Sequence, residues 1–323
     1  MIVDVDPKVD YAFKHLFGRE ATRPILIDVL DKVLNPDPGH HILEVELLNP
    51  FNPKEALDDK LSILDIKARD QEGRQFNVEM QMSPFPYYEK RILYYSCKLH
   101  QQQLHEGQDY LELKPTISIS FLDHVWFPRV PEYHLRFRLL EESHRFPLTE
   151  DLEFHVLELP KFTKSAAELT NGLDVWLYFL RNAAMMDTES LPTALREPLV
   201  VRALEELKML KQADPERERY EARRKAQLDD QTRLKVARLE GRQEGREEGR
   251  QEGREEGRQE GREEGRQEGR IEEKIATLHF FERLLNRPET PTQELAALPL
   301  DELTRLEEEL QEQVSKRAKP NGQ

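Results

Sequence analysis

Cysteine is nearly absent: Cys97 is the single one among 323 residues. One thiol cannot build an internal disulfide framework, and the scarcity fits a reducing compartment. Cys97 lies in an apolar stretch with helical spacing and is expected to pack. Long apolar runs are lacking too. No segment approaches the roughly 18 apolar residues of a membrane span. The opening Met1-Ile2-Val3-Asp4-Val5-Asp6 has no basic region ahead of an apolar run, so no signal peptide is expected. These absences point to a cytoplasmic protein without a membrane partner. Positive charge is in deficit as well, with 48 Lys and Arg against 63 Asp and Glu and a net charge of -15. Acids outnumber bases within residues 1–160 also. That balance opposes sequence-independent binding to phosphate backbones. Nucleic-acid contact would need basic residues lining a groove, or metal ions neutralising an acidic cluster. There is no Gly-rich phosphate loop, no Ser-His-Asp arrangement and no Cys pair. The ten histidines are scattered, and His40-His41 lacks the spacing of a zinc site.

The apolar residues that are present gather before about residue 210. Phe13 and Phe17, four apart, share one face of a helix over Asp10–Gly18, with Asp10 at its start, where the helix dipole favours an acid. A second helix is expected from Thr22, as N-cap, to about Leu34, ended by Asn35-Pro36-Asp37-Pro38-Gly39. Ile42–Leu48 reads as a strand. Leu61–Arg69 and Gln75–Met82, joined by Asp70-Gln71-Glu72-Gly73, read as a β-hairpin. Helical spacing runs from Tyr87 to about Leu104, and Pro115–Leu122 alternates as a strand. Further strands are expected near Glu132–Leu140 and Leu152–Leu159, then helices from about residue 165. The order predicts an α/β fold: a small mixed sheet flanked by helices, followed by a long helical C-terminal extension.

Between Gly241 and Arg270 the chain repeats Gly-Arg-(Gln or Glu)-Glu, with eight of its fourteen glycines one every fourth residue. Four residues turn an α-helix by about 400°, so each residue type drifts about 40° per repeat and marks no fixed face. No apolar seam exists, which excludes a heptad coiled coil. Each glycine costs about 1 kcal/mol relative to alanine, while Glu247 reaches Arg250 for a few tenths of a kcal/mol. The expectation is a long, solvated helix so marginal that disorder in isolation is the alternative, acting as spacer, or as an arm for a partner or a second copy. Beyond it, Ile275, Leu278, Phe281 and Leu285 share one face, as do Leu303, Leu306 and Leu310, with Pro288, Pro291 and Pro299 between them. Two short helices are expected there. The domain organisation is thus a core over residues 1–160, a helical extension over 161–212, a charged linker or helix over 213–270, and short helices over 271–323, through which a homo-oligomer could form.

The hairpin carries the candidate chemistry. Strand residues alternate faces, so Asp65, Lys67 and Arg69 share one face, and so do Asn77, Glu79 and Gln81. A turn centred near Gln71-Glu72 pairs positions whose numbers sum to 143 or 144. In the second register Asp65 and Glu79 are cross-strand neighbours. Facing carboxylates repel unless a positive charge lies between them, and a divalent cation meets that need. A polar, solvent-facing sheet surface is the plainer alternative.

Asp10-Tyr11-Ala12-Phe13-Lys14-His15-Leu16-Phe17-Gly18, Leu64-Asp65-Ile66-Lys67-Ala68, Asn77-Val78-Glu79-Met80-Gln81, Arg91-Ile92-Leu93-Tyr94-Tyr95 and Gly107-Gln108-Asp109-Tyr110 form a set. Together they resemble the recombination-promoting nuclease and transposase family of the PD-(D/E)XK nuclease superfamily. The Glu-Gly-Arg-type repeats are similar to those of many members. The resemblance implies a restriction-endonuclease-like sheet. It implies a metal-dependent DNA endonuclease linked to recombination or mobile elements, with Mg2+ or another divalent cation as cofactor and DNA as partner. It makes Asp65 and Glu79 the metal ligands. Gln81 takes the place where the wider superfamily has lysine, and brings hydrogen bonds without charge. Lys67, on the face of Asp65, stands as a candidate substitute. Arg91 is a candidate phosphate contact or, equally, a surface arginine of the helix, and Tyr94 and Tyr95 are expected at the edge of the core. The alternative is a degenerate nuclease fold kept as a binding or assembly module.

Overall fold

The computed structural model describes residues 2–35, 39–49, 51–52, 62–63 and 65–318. They fall into two compact units, Met1–Leu234 and Lys235–Gln323. The first begins with α1 (Asp10–Phe17) and α2 (Arg23–Leu34). Thr22 precedes α2 but makes no side-chain cap; its hydroxyl donates instead to the carbonyls of His15 and Arg19. A 3-10 turn over Glu20–Thr22 leads into the helix, and Pro24 fills its first turn, where a missing N–H costs nothing. Asn35 ends α2 in the left-handed conformation; positions 36–38 of the expected break lie outside the described residues.

The strands follow: β1 (Val45–Leu48), β2 (Phe51–Asn52), β3 (Ser62–Ile63), β4 (Ile66–Asp70) and β5 (Gln75–Gln81). The expected strand over 61–69 is therefore not one element. Residues 62–63 pair with 51–52 in a separate two-stranded sheet, and β4 begins only after Asp65, which occupies a bend. Leu61 and Leu64 lie outside the described residues. Next come α3 (Tyr88–Gln101), β6 (Thr116–Leu122), β7 (His134–Arg138), β8 (Leu152–Glu158), α4 (Gly172–Asn182) and α5 (Pro198–Gln212). The main sheet has the order β1-β4-β5-β6-β8-β7. β5, β6 and β8 run parallel at its centre, and antiparallel pairs flank them. This is the mixed α/β sheet with flanking helices that the pattern predicts.

Alternation divides the sheet into two unlike faces. Ile66, Ala68, Phe76, Val78, Ile117, Ile119, Phe121 and Leu157 belong to the buried core beneath α1, α2, α4 and α5. Phe13 packs on Phe17 at 4.8 Å and on Phe121 at 6.1 Å, and Phe17 meets the edge of Trp176 at 6.4 Å. Fully burying one such ring contributes about 1.5–3 kcal/mol. Trp176 can be enclosed because its indole N–H donates to Asp28 at 2.7 Å. The other face, under α3, bears Asn77, Glu79, Thr116, Ser118 and Ser120. All are buried, so the row is not the solvent-facing polar surface of the plainer alternative. Cys97 is exposed on α3, contrary to the packing expected of it. Tyr88, Ile92, Ser96 and Leu99 turn inward at helical spacing, which leaves position 97 outside.

α6 (Asp214–Leu284) contributes residues up to Leu234 to the first unit. In the second unit its remainder is joined by α7 (Thr292–Ala296) and α8 (Leu300–Ala318). Ile275, Leu278, Leu295 and Leu303 make a small buried cluster, with Leu306 and Leu310 packed against it. The region expected as two short helices thus comprises the end of a long helix and two further helices, separated where Pro288, Pro291 and Pro299 stand. The repeat is helical throughout, and residues 241–270 are all exposed. A Cβ added at any of its eight glycines meets nothing within 4 Å. Replacing them with alanine is therefore expected to stabilise the helix by about 1 kcal/mol per position. The check is far-ultraviolet circular dichroism, which should show a larger helical signal and later loss of it on heating.

Candidate active site

The bend before β4 and the middle of β5 bring the two predicted acids together. Ile66 pairs with Val78 and Lys67 with Asn77, so paired numbers sum to 144. This is the register that sets Asp65 beside Glu79. Asp65 accepts the Met80 N–H through Oδ2 at 3.1 Å, which stitches the bend to β5. Its Oδ1 lies 3.1 Å from Lys14 Nζ, and the same ammonium lies 2.6 Å from Asp10 Oδ1. Asp10 thus does more than start α1: Lys14, one turn along, ties it to the hairpin.

Glu79 is 4% exposed. Its Oε1 accepts from Asn77 Nδ2 at 3.2 Å, and its Oε2 faces Arg91 Nη2 at 3.4 Å and the Tyr88 hydroxyl at 3.5 Å. Burial pushes the Glu79 carboxyl above the usual range, the charge of Asp65 pushes it further, and Arg91 opposes both. Asp65 is likewise raised by burial, with Lys14 opposing. Tyr88 is held strongly protonated by burial and by the charge of Glu79. Desolvation of two neighbouring carboxylates is the dominant electrostatic fact here.

Gln81 is tethered at both ends of its amide. Nε2 donates to the Ser83 carbonyl at 2.8 Å and Oε1 accepts from Arg91 Nη2 at 2.9 Å. Arg91 is seated among aromatic rings, 4.8 Å from the centroids of Phe85 and Tyr88 and 5.9 Å from that of Tyr95. A cation therefore stands at the glutamine, delivered by α3 and not by the strand. Lys67 shares the face of Asn77, but its Nζ reaches toward Gln102 Oε1 at 3.4 Å. Burial lowers its pKa. Asp10, Asp65, Glu79, Gln81, Arg91 and Tyr95 line one cavity of about 590 Å3, and Lys67 is not among its lining residues. Four residues of α6, Gln227, Asp230, Arg233 and Leu234, line it too.

A buried and a half-buried carboxylate that repel one another and face a cavity are a suitable donor set for a hard divalent cation. Gln227 Oε1, buried without a hydrogen-bond partner, adds an oxygen on the same cavity. Among the described residues no three of His, Cys, Asp and Glu come together in metal-ligating geometry. A cation held by Asp65 and Glu79 would complete its shell with water or amide oxygens. The hairpin pattern allows two registers, one of which pairs the acids, and the family resemblance marks Arg91. Lys14 had a faint signal, its i,i+4 spacing from Asp10, and the contribution of α6 had none.

The raised carboxyls make a stability test. A group whose folded pKa lies above its unfolded value favours the fold while protonated, and that contribution is lost as pH rises through the raised value. In chelator, Glu79→Gln is therefore expected to melt a few degrees higher than wild type at about pH 7, where about 1 kcal/mol corresponds to roughly 2–4 °C. The gap should close toward about pH 4, the ordinary carboxylate range. Calorimetry across pH reads it, and an unchanged melting temperature at neutral pH counts against a strained carboxylate pair.

A sequence profile described as PD-(D/E)XK nuclease family transposase matches residues 7–237, which include Asp65, Glu79, Gln81 and Arg91. No curated protein and no solved structure matches the chain. Most of the chain lies within the profile, and the hairpin acids fall inside it. The protein therefore belongs to the PD-(D/E)XK nuclease family transposases.

Proposed function

We propose that this chain is a divalent-cation-dependent endonuclease that hydrolyses DNA phosphodiester bonds in recombination or in the movement of mobile elements. The observation that carries the reading is the meeting of Asp65 and Glu79, from the two arms of one hairpin, on a single cavity that also holds Arg91. The two carboxylates would hold the cation, Mg2+ being the expected one. Bound there, it would supply Lewis-acid polarisation of the phosphate and lower the pKa of water. The protein's own groups do the rest. The Met80 N–H and Lys14 fix Asp65, and Asn77 and Arg91 fix Glu79. Such orientation spares reorganisation when the reaction occurs. Arg91 brings to Gln81 the positive charge that an amide lacks, at a place where a phosphate oxygen gains charge.

One observation favours the alternative, a degenerate site kept for binding or assembly. Both ends of the Gln81 amide are already engaged, by Ser83 and by Arg91, which leaves it poorly placed to orient a water molecule. Nicking of supercoiled plasmid in Mg2+ separates the two. The nuclease reading expects cleavage by the wild type. Asp65→Asn and Glu79→Gln should each lower it by about 100-fold or more, which corresponds to about 2.7 kcal/mol of lost transition-state stabilisation. Arg91→Ala should lower it strongly, and Lys67→Met only slightly. Wild-type protein that leaves the plasmid intact with every divalent ion tried would assign the chain to the second class.

A further inference from the structure

The sheet and α3 do not enclose the cavity by themselves. Gln227, Asp230, Arg233 and Leu234 of α6 complete its lining. The first three stand three residues apart, so a single helical face looks toward the acids. α6 is secured to the core just before them. The buried Tyr220 accepts the Asp6 N–H on its hydroxyl at 2.8 Å, and the Tyr11 hydroxyl donates to Glu216. The profile match runs to residue 237, three residues beyond the end of the first compact unit. This stretch of helix is thus part of the nuclease-family domain.

The charges on the cavity are unequal. Asp10, Asp65, Glu79 and Asp230 line it, against two cations, Arg91 and Arg233. Arg91 is engaged by Glu79, Gln81 and its ring of aromatics. Arg233 is 79% exposed and meets Asp230 at 3.4 Å, a loose, solvated pair. A phosphodiester strand entering here brings more negative charge to an acidic surface. It needs a mobile cation with donors to offer, and a planar guanidinium suits a phosphate. We propose that Arg233 contacts a backbone phosphate of the bound DNA strand, with Asp230 as its counter-ion when DNA is absent. α6 then supplies a substrate-holding wall to the site. The inference rests on the nuclease reading above, but its test can fail separately.

Fluorescence anisotropy of a labelled DNA duplex, with Ca2+ in place of Mg2+ and over a series of KCl concentrations, tests it on the full-length chain. Arg233→Gln is expected to weaken binding about tenfold at low salt and to make the plot of log affinity against log salt shallower by about one. Asp230→Asn should act in the opposite direction and tighten binding about threefold, because it removes a competing acid. Arg254→Gln, in the repeat, controls for the loss of one surface charge and should leave the slope unchanged. A slope for Arg233→Gln equal to that of wild type, or weakening by both α6 substitutions alike, overturns the contact. Equal slopes beside full plasmid nicking would remove the α6 contact and keep the nuclease. A wild type that binds duplex with the expected Arg233 dependence yet never nicks would do the reverse. A wild type that does not bind DNA overturns both.

Discussion

Two neighbouring carboxylates, one buried and one half-buried, set the terms for the rest of this domain. Asp65 and Glu79 sit at the edge and the middle of one hairpin, and neither can be ionised cheaply there. The chain answers with one cation from each side. α1 contributes Lys14 against Asp65, and α3 contributes Arg91 against Glu79. Each helix therefore has an electrostatic reason for its place as well as an apolar one.

The sheet beneath reconciles this polar demand with a stable core. Its apolar face takes the rings of Phe76 and Phe121 against α1 and the helices around it. Its polar face is roofed by α3, which follows β5 directly and leads into β6. The crossover helix of a parallel pair has to lie on one face of the sheet, and here it covers the row from Asn77 to Gln81. Function and topology thus share an element: the helix that makes the β5–β6 connection possible also carries the guanidinium of the site.

Much of this was legible in advance, and the reasons are local. Alternation in Gln75–Gln81 and the Gly-containing turn after Asp70 specify a hairpin and narrow its register to two, one of which sets Asp65 beside Glu79. The four-residue spacing of Phe13 and Phe17 marked α1. What was not legible depends on distant parts of the chain. Asp65 lies in a bend ahead of β4, and residues 62–63 pair with 51–52 in their own small sheet, a contact with no signature in either pair. Thr22 looked like a cap, yet a 3-10 turn takes its hydroxyl back to His15 and Arg19. The histidines looked scattered, but the β7–β8 ladder sets His134 Nε2 2.8 Å from His155 Nδ1, and burial with that neighbour pushes His134 down to about 4. The wall from α6 reaches the acids across some 150 residues of sequence, which no spacing rule spans.

The outward turn of Cys97 has a practical corollary. It is the chain's one thiol, it is exposed, and it rides on α3 six residues beyond Arg91. A fluorophore or spin label can therefore be attached at one defined point of the unaltered protein, on the element that roofs the acidic pair. The same accessibility leaves that helix open to oxidants, which can convert an exposed thiol to its sulfenic acid or cross-link it to a second molecule.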